Sequence, residues 1–363
     1  MAVNARAAIK RATLAAQRDM DALDSRSLNA LKEIYQQALA DIHDRIRAHA
    51  GADDNLALQE LQSLLAQVNA RLAELARARD MLLDDKLNEA ASLGVRPFTA
   101  TVGAMPPALT VPAGMKINQD AVRFVKRFIA QDGLQLSDRI WRLDYHAREA
   151  VTSAIEQAVI QGHGAVQAAR EFLARGEAVP GDIATKMNAA NAGKIGKAAA
   201  EALTGETGSP MDNAMRLFRT EINRAHGEAY VKGALDHPDA AGVRFLLSPA
   251  HPKPDICDLH STANLYGLGP GVYPNRETCP WPAHPNTLSY VEVVFKDEVS
   301  AEDRAGKETA MQALDRLSPA QQRGVLGAHK HEAFKEGKLT QGMIRSKWSS
   351  VRARIERKPA ASR

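Results

Sequence analysis

The chain is poor in sulfur and in rings. Only two cysteines, Cys257 and Cys279, stand among 363 residues, and aromatic residues make up 5%. Two cysteines cannot staple a chain of this length, so packing has to supply the stability and a reducing compartment is implied. No uninterrupted apolar run is long enough to cross a bilayer, so no membrane partner is expected. The opening stretch Met1 to Lys10 lacks the apolar segment of a secretory signal. There is no Gly-x-Ser-x-Gly elbow, no metalloprotease His-Glu pair and no nucleotide fingerprint. Gly267-Leu268-Gly269-Pro270-Gly271 is glycine-rich, but no Lys-Ser/Thr follows it, so it builds turns rather than a phosphate cradle.

What is present points to helices. Alanine is abundant while rings are few, which favours helices packed through small side chains. A hydrophobic fraction of 45% and a charged fraction of 25% are ordinary for a globular chain, and the length allows two or three cores. The net charge of +4 conceals an asymmetry. Residues 330–363 hold ten Lys/Arg against three Glu, leaving the rest of the chain at −3. Such a basic end suits an anionic partner, DNA included, or a solvated helix. Arg345, Lys347, Arg352, Arg354, Arg357 and Lys358 are the residues expected to touch DNA.

Periodicity predicts helix over residues 5–90. Leu28, Leu31, Tyr35, Ala38, Leu39, Ile42 and Ile46 recur at steps of three and four, as do Leu61, Leu64, Leu65, Val68, Leu72, Leu75 and Leu82. The break at 49–55, with Gly51 as a stop and an aspartate as the next cap, makes an antiparallel hairpin. Glycines and prolines between Gly94 and Gly114 mark a linker. Further helices are expected from Ser137 or Asp138 to Gly162, from Ala165 to Leu173, over 186–203, and from Asp212 to Leu235. Strand-like sequence appears at Val243 to Leu247 and at Leu288 to Phe295. Leu317-Ser318-Pro319 is a serine cap with proline at the first helical position. The expected fold is therefore mainly α: a helical hairpin and bundle, with a two- or three-stranded β element carrying a long loop. Its segments are a hairpin at 1–93, a linker at 94–118, a helical domain at 119–240, the β element at 241–298, and a C-terminal helical segment with its basic tail at 299–363.

The loop between the strands holds both cysteines and three histidines, His251, His260 and His284. Loops of this length without regular structure are usually functional or disordered. Cys257-x-x-His260 and Cys279-x4-His284 form two pairs at a spacing a tetrahedral zinc site can use, with His251 as an alternative ligand. Zinc would supply folding energy to a segment with little apolar content. Buried free thiols with ordinarily bonded histidines are the alternative. A second alternative is a hard-metal nuclease site built from Asp255, Asp258 and the histidines with Asn286. On the helix before the strands, Arg219-Thr220-Glu221 and Arg224 offer an internal ion pair, or a buried polar knot beneath the loop.

Taken in order, these segments resemble the phage head morphogenesis proteins, minor head proteins similar to the F protein of bacteriophage Mu. The resemblance rests on Arg219-Thr220-Glu221 with Asn223-Arg224-Ala225, on Phe245-Leu246-Leu247, and on Asp255-Ile256-Cys257-Asp258. It continues through Pro282-Ala283-His284-Pro285-Asn286, through Tyr290 to Phe295, and through Leu317 to Gly327 with Phe334-x-x-Gly337. It covers about residues 119–350. Family members commonly place Cys-Arg-Cys after His-Pro-Asn. Here Thr287-Leu288-Ser289 stands instead, so two thiolates of a family-style metal site are missing. The resemblance implies a structural protein of the virion head, assembled in the bacterial host cytoplasm. Its partners would be the portal protein, with capsid and scaffold proteins and genomic DNA as further ones. The competing classes are a metal-dependent nuclease or hydrolase and a DNA-binding accessory protein.

Overall fold

The computed structural model describes residues 3–99, 109–129, 132–248, 251–283 and 289–357. It is mainly helical with a small antiparallel sheet. In chain order the helices before the sheet are α1 (Val3–Ala48), α2 (Leu61–Thr99), α3 (Val111–Arg127), α4 (Leu136–Ala174), α5 (Gly181–Met187), α6 (Ala192–Thr204) and α7 (Pro210–Leu235). Then come β1 (Ala240–Leu246), α8 (Ile256–Thr262), β2 (Val272–Tyr273) and β3 (Tyr290–Phe295). The chain closes with α9 (Ala301–Ala305), α10 (Ala310–Arg316), α11 (Pro319–Leu326), α12 (Ala328–Lys335) and α13 (Trp348–Arg357). No described helix is long and apolar enough to cross a membrane.

Two compact units emerge, and they do not follow chain order. One contains residues 1–20, 88–124 and 223–363; the other contains 21–87 and 125–222. The expected N-terminal hairpin is thus divided between them. The expected linker at 94–118 is also shorter than its glycines and prolines suggest. Residues 94–99 continue α2 through Pro97, and 111–118 lie in α3. Gly94 lets α7 pass close to α2: a Cβ there would run into the His226 carbonyl.

The unit of residues 21–87 and 125–222 is a helical bundle. The α1 stripe from Leu28 to Ile46 is buried as its spacing predicts, with Tyr35, Ala38 and Ile42 at 1% exposure or less. Leu64, Val68, Leu72 and Leu75 of α2, and Val151, Ile155 and Val159 of α4, complete the interior. In that interior lies Arg79, 2% exposed, bonded to Asp144 at 2.8 Å and to Asp80 at 2.6 Å. Burial alone would lower the Arg79 pKa, yet the two carboxylates more than offset this and it is raised. Burial pushes the neighbouring Tyr35 hydroxyl up to about 12.

Two local expectations change here. α4 does not stop at Gly162. It runs on through Gly164, and Gly162 lets α4 approach Ala190 at a distance no Cβ would allow. Its cap is Gln135, whose backbone N–H donates to Asp138 Oδ2 at 2.9 Å, so Asp138 closes a capping box from the third helical position. Likewise, no aspartate caps α2. Asp53 binds Asn55, and Asp54, at φ 60°, accepts from Asn191 Nδ2 at 2.8 Å. The 49–55 turn is thereby pinned to the start of α6.

The unit of residues 1–20, 88–124 and 223–363 is built around the sheet, in the order β2-β1-β3, all antiparallel. Val243 stands opposite Val293 and Phe245 opposite Val291. These side chains, with Phe295, project every second residue into a core shared with Phe98 of α2 and Tyr230 of α7. The Tyr230 hydroxyl accepts the Val293 backbone N–H at 3.1 Å and meets Thr13 Oγ1 at 3.1 Å, so one buried phenol joins α7, β3 and α1. A second core, formed by Leu259, Ala313, Leu314, Val325, Leu326, Met343, Ile344 and Val351, ties the C-terminal helices to α8.

Candidate functional site

The loop between β1 and β3 is ordered locally by its own sequence. Asp255 stands just before α8 and accepts the Cys257 N–H at 2.7 Å, while the Asp255 N–H donates to Asp258 Oδ2 at 2.8 Å. This is a reciprocal capping box, with aspartate at both ends. Gly267, Gly269 and Gly271 all adopt positive φ, the turn-building role expected of them. At Gly271 a Cβ would press on the Ser261 and Phe245 carbonyls, so the glycine also lets β2 join β1.

Asp258 is the centre of this arrangement. It is 4% exposed and accepts three hydrogen bonds. The first comes from the Asp255 backbone. The second comes from His251 Nε2, 3.1 Å from Oδ2. A carboxylate can only accept, so Nε2 carries the proton. The third comes from Gln321 Nε2, 3.0 Å from Oδ1. Gln321 is in turn the third residue of α11, where its Oε1 accepts the Ser318 N–H at 3.1 Å. The expected Ser318-Pro319 helix start is present, and its Gln321 fastens α11 to the loop. α11 comes this close because Gly324 lies on Pro254, where a Cβ would strike the Pro254 carbonyl.

α7 holds the other side of the loop. Arg276 Nε donates to Glu228 Oε2 at 2.6 Å, and its two terminal nitrogens donate to the Cys279 and Trp281 carbonyls at 3.3 Å each. The guanidinium lies 5.1 Å from the centre of the Phe124 ring. Glu228 is buried, which raises its pKa, and Arg276 works against that shift. The Trp281 indole lies directly on Gly227, where a Cβ would overlap the ring. His226 is buried beside it, and burial, aided by the Arg96 charge, lowers its pKa to about 4.

The expected site residues sort as follows. Cys257, His260 and Cys279 are all buried, but they do not converge into a group of three ligands. Burial pushes the Cys279 thiol up. His260 packs edge-on against Phe245 and Tyr273, and its carbonyl accepts from the Tyr273 hydroxyl at 3.1 Å. His284, Pro285 and Asn286 lie outside the described residues, as does Lys358. Among the described residues, His251, Asp255 and Asp258 are the one set that brings three ligand atoms within 4.8 Å of one another. On α7, Glu221 and Arg224 are buried, while Arg219 pairs with Asp24 at 3.4 Å. Of the basic tail, Arg345, Lys347, Arg352, Arg354 and Arg357 are exposed, and Arg352 is engaged by Glu356 at 2.7 Å.

Sequence reasoning missed Gln321, Arg276, Glu228 and the two contact glycines, Gly227 and Gly324. Only Gln321 carried a readable signal, the Ser-x-x-Gln spacing of a capping box. Compared with family models, with curated proteins and with solved structures, the chain matches none.

Proposed function

We propose that the chain is a structural minor head protein of a tailed phage or prophage, one that joins the portal during procapsid assembly in the host cytoplasm and stays in the virion head. The observation that carries this reading is the Asp258 junction. It hydrogen-bonds the Asp255-Ile256-Cys257-Asp258 segment to the Ser318-to-Gln321 segment, 63 residues on from Asp258. Two separate pieces of the family resemblance thus act as one folded piece. Asp255, Asp258 and Arg276 are engaged in caps and clamps, and Cys257 and Cys279 are packed away. That distribution suits a docking module better than an exposed nucleophile. Co-expression with the portal protein of the same phage or prophage tests the reading. A complex that co-migrates in size exclusion, with a defined native mass, is the expected result. A well-folded chain that never co-migrates with the portal overturns it.

One observation favours a second reading, a metal-dependent hydrolase. His251, Asp255 and Asp258 offer one imidazole and two carboxylates at close range. On that reading His251→Ala abolishes zinc- or manganese-dependent nuclease activity and leaves the fold intact. On the structural reading the same change lowers the melting temperature, and there is no activity to lose.

A further inference from the structure

The last described helix carries its apolar and cationic residues on opposite sides. On α13, Trp348, Val351 and Ile355 follow each other at steps of three and four and pack into the C-terminal core, with Val351 fully buried. The opposite stripe is Ser350, Arg354 and Arg357, also at steps of four and three, and all three are exposed. Arg345 and Lys347, just before the helix, are exposed too. Glu356 is the only acid between Ile344 and Arg357, and Arg352 already holds it at 2.7 Å. Among the described residues, Arg345, Lys347, Arg354 and Arg357 make no ion pair and no side-chain hydrogen bond.

Arg354, Arg357 and Ser350 on one side of a packed helix, with exposed Arg345 and Lys347 beside it in sequence, fit a polyanion. We infer that this face binds the sugar–phosphate backbone of duplex DNA without reading its sequence. Arginine forks and hydroxyls are the usual donors to phosphate oxygens. No large apolar or aromatic side chain of this segment is fully exposed, since Trp348 and Ile355 are turned into the core. Base stacking on a single strand, or insertion into a lipid surface, would need such side chains outside. A ten-residue helix is about 15 Å long, a span that meets two or three successive phosphates of one strand. The choice of DNA as the polyanion rests on the minor-head reading; the affinity itself can be measured without the portal.

The test is fluorescence anisotropy of the full chain with labelled duplexes of about 20 base pairs and unrelated sequence, titrated between about 50 and 200 mM salt. Four phosphate contacts predict a slope of log K against log salt of about −3.6, the same for each duplex. The variant carrying R345A, K347A, R354A and R357A is expected to melt as the parent does and to lose most of that slope. Its affinity at the lowest salt should fall by more than about tenfold. Three results would each overturn the inference: no duplex binding by the parent chain, an unchanged slope in the variant, or tighter binding to a single strand or to anionic vesicles than to duplex. Portal co-migration by the same variant separates this outcome from failure of the minor-head reading.

Discussion

Asp258 shows how much can depend on one buried carboxylate. It takes hydrogen bonds from Asp255, His251 and Gln321, and its removal leaves three half-buried donors without their acceptor. Asp258→Ala is expected to cost about 2–4 kcal/mol in urea denaturation, since each stranded donor forfeits its desolvation penalty. A loss below about 1 kcal/mol would mean that water replaces the carboxylate without strain. Gly227→Ala acts through volume instead. The new methyl occupies the place of the Trp281 indole, so the tryptophan must leave its seat on α7. A loss of about 2 kcal/mol or more is expected, together with a red shift of tryptophan emission.

His226 predicts a pH dependence at the same scale. Its folded pKa is lowered to about 4 from an ordinary value of 6.5, by burial first and then by Arg96. The unfolded chain therefore binds the proton more readily. The stability from neutral His226 is complete above about pH 6.5 and is lost as pH falls toward 4. The full loss is on the order of 3 kcal/mol. His226→Gln should flatten that limb of the stability profile. A limb of unchanged steepness in this variant would assign the acid sensitivity to other groups.

Between elements, the loop is clamped from two sides by different chemistry. α11 holds it through Gln321 and through the close approach at Gly324. α7 holds it through the Glu228–Arg276 pair and the flat contact at Gly227. Arg276→Ala strands the buried Glu228 and frees two carbonyls, with an expected cost of about 2 kcal/mol, reduced from a fully buried pair because Arg276 is partly exposed. Arg276→Lys should recover little of this, because an ammonium cannot serve one carboxylate and two carbonyls in a planar fork. Comparable stability of the lysine variant and the parent would show that charge alone holds the clamp.

The partition into units predicts where a lesion is felt across the whole molecule. Arg79 and its partners Asp80 and Asp144 lie in the unit of residues 21–87 and 125–222. Arg79→Ala leaves two carboxylates and the Tyr35 hydroxyl without their cation, a loss of about 3 kcal/mol. Hydrogen exchange read by mass spectrometry should rise in peptides from those residues and much less in peptides from 223–357. An equal rise along the chain would show that the units open together.

The helical character, the α1 and α2 stripes, the Ser318-Pro319 start, the pairing of the two strand-like segments and the basic end were all legible in the sequence, because each follows from near-neighbour spacing and composition. The α8 capping box was equally local, but Asp255 and Asp258 beside a cysteine suggested ligands more readily than caps. Tertiary structure alone decided the rest. Spacing in Cys257-x-x-His260 sets a distance along the chain, not the direction in which buried side chains point, so it could not show that these residues fail to gather with Cys279. The union of Asp258 with Gln321, and of Glu228 with Arg276, needed helices docked through glycines whose importance is invisible until another backbone or an indole lies against them. The division of the long N-terminal helices between two units has the same origin. Continuous periodicity records that a face is buried, while the partner that buries it is set by the packing of distant segments.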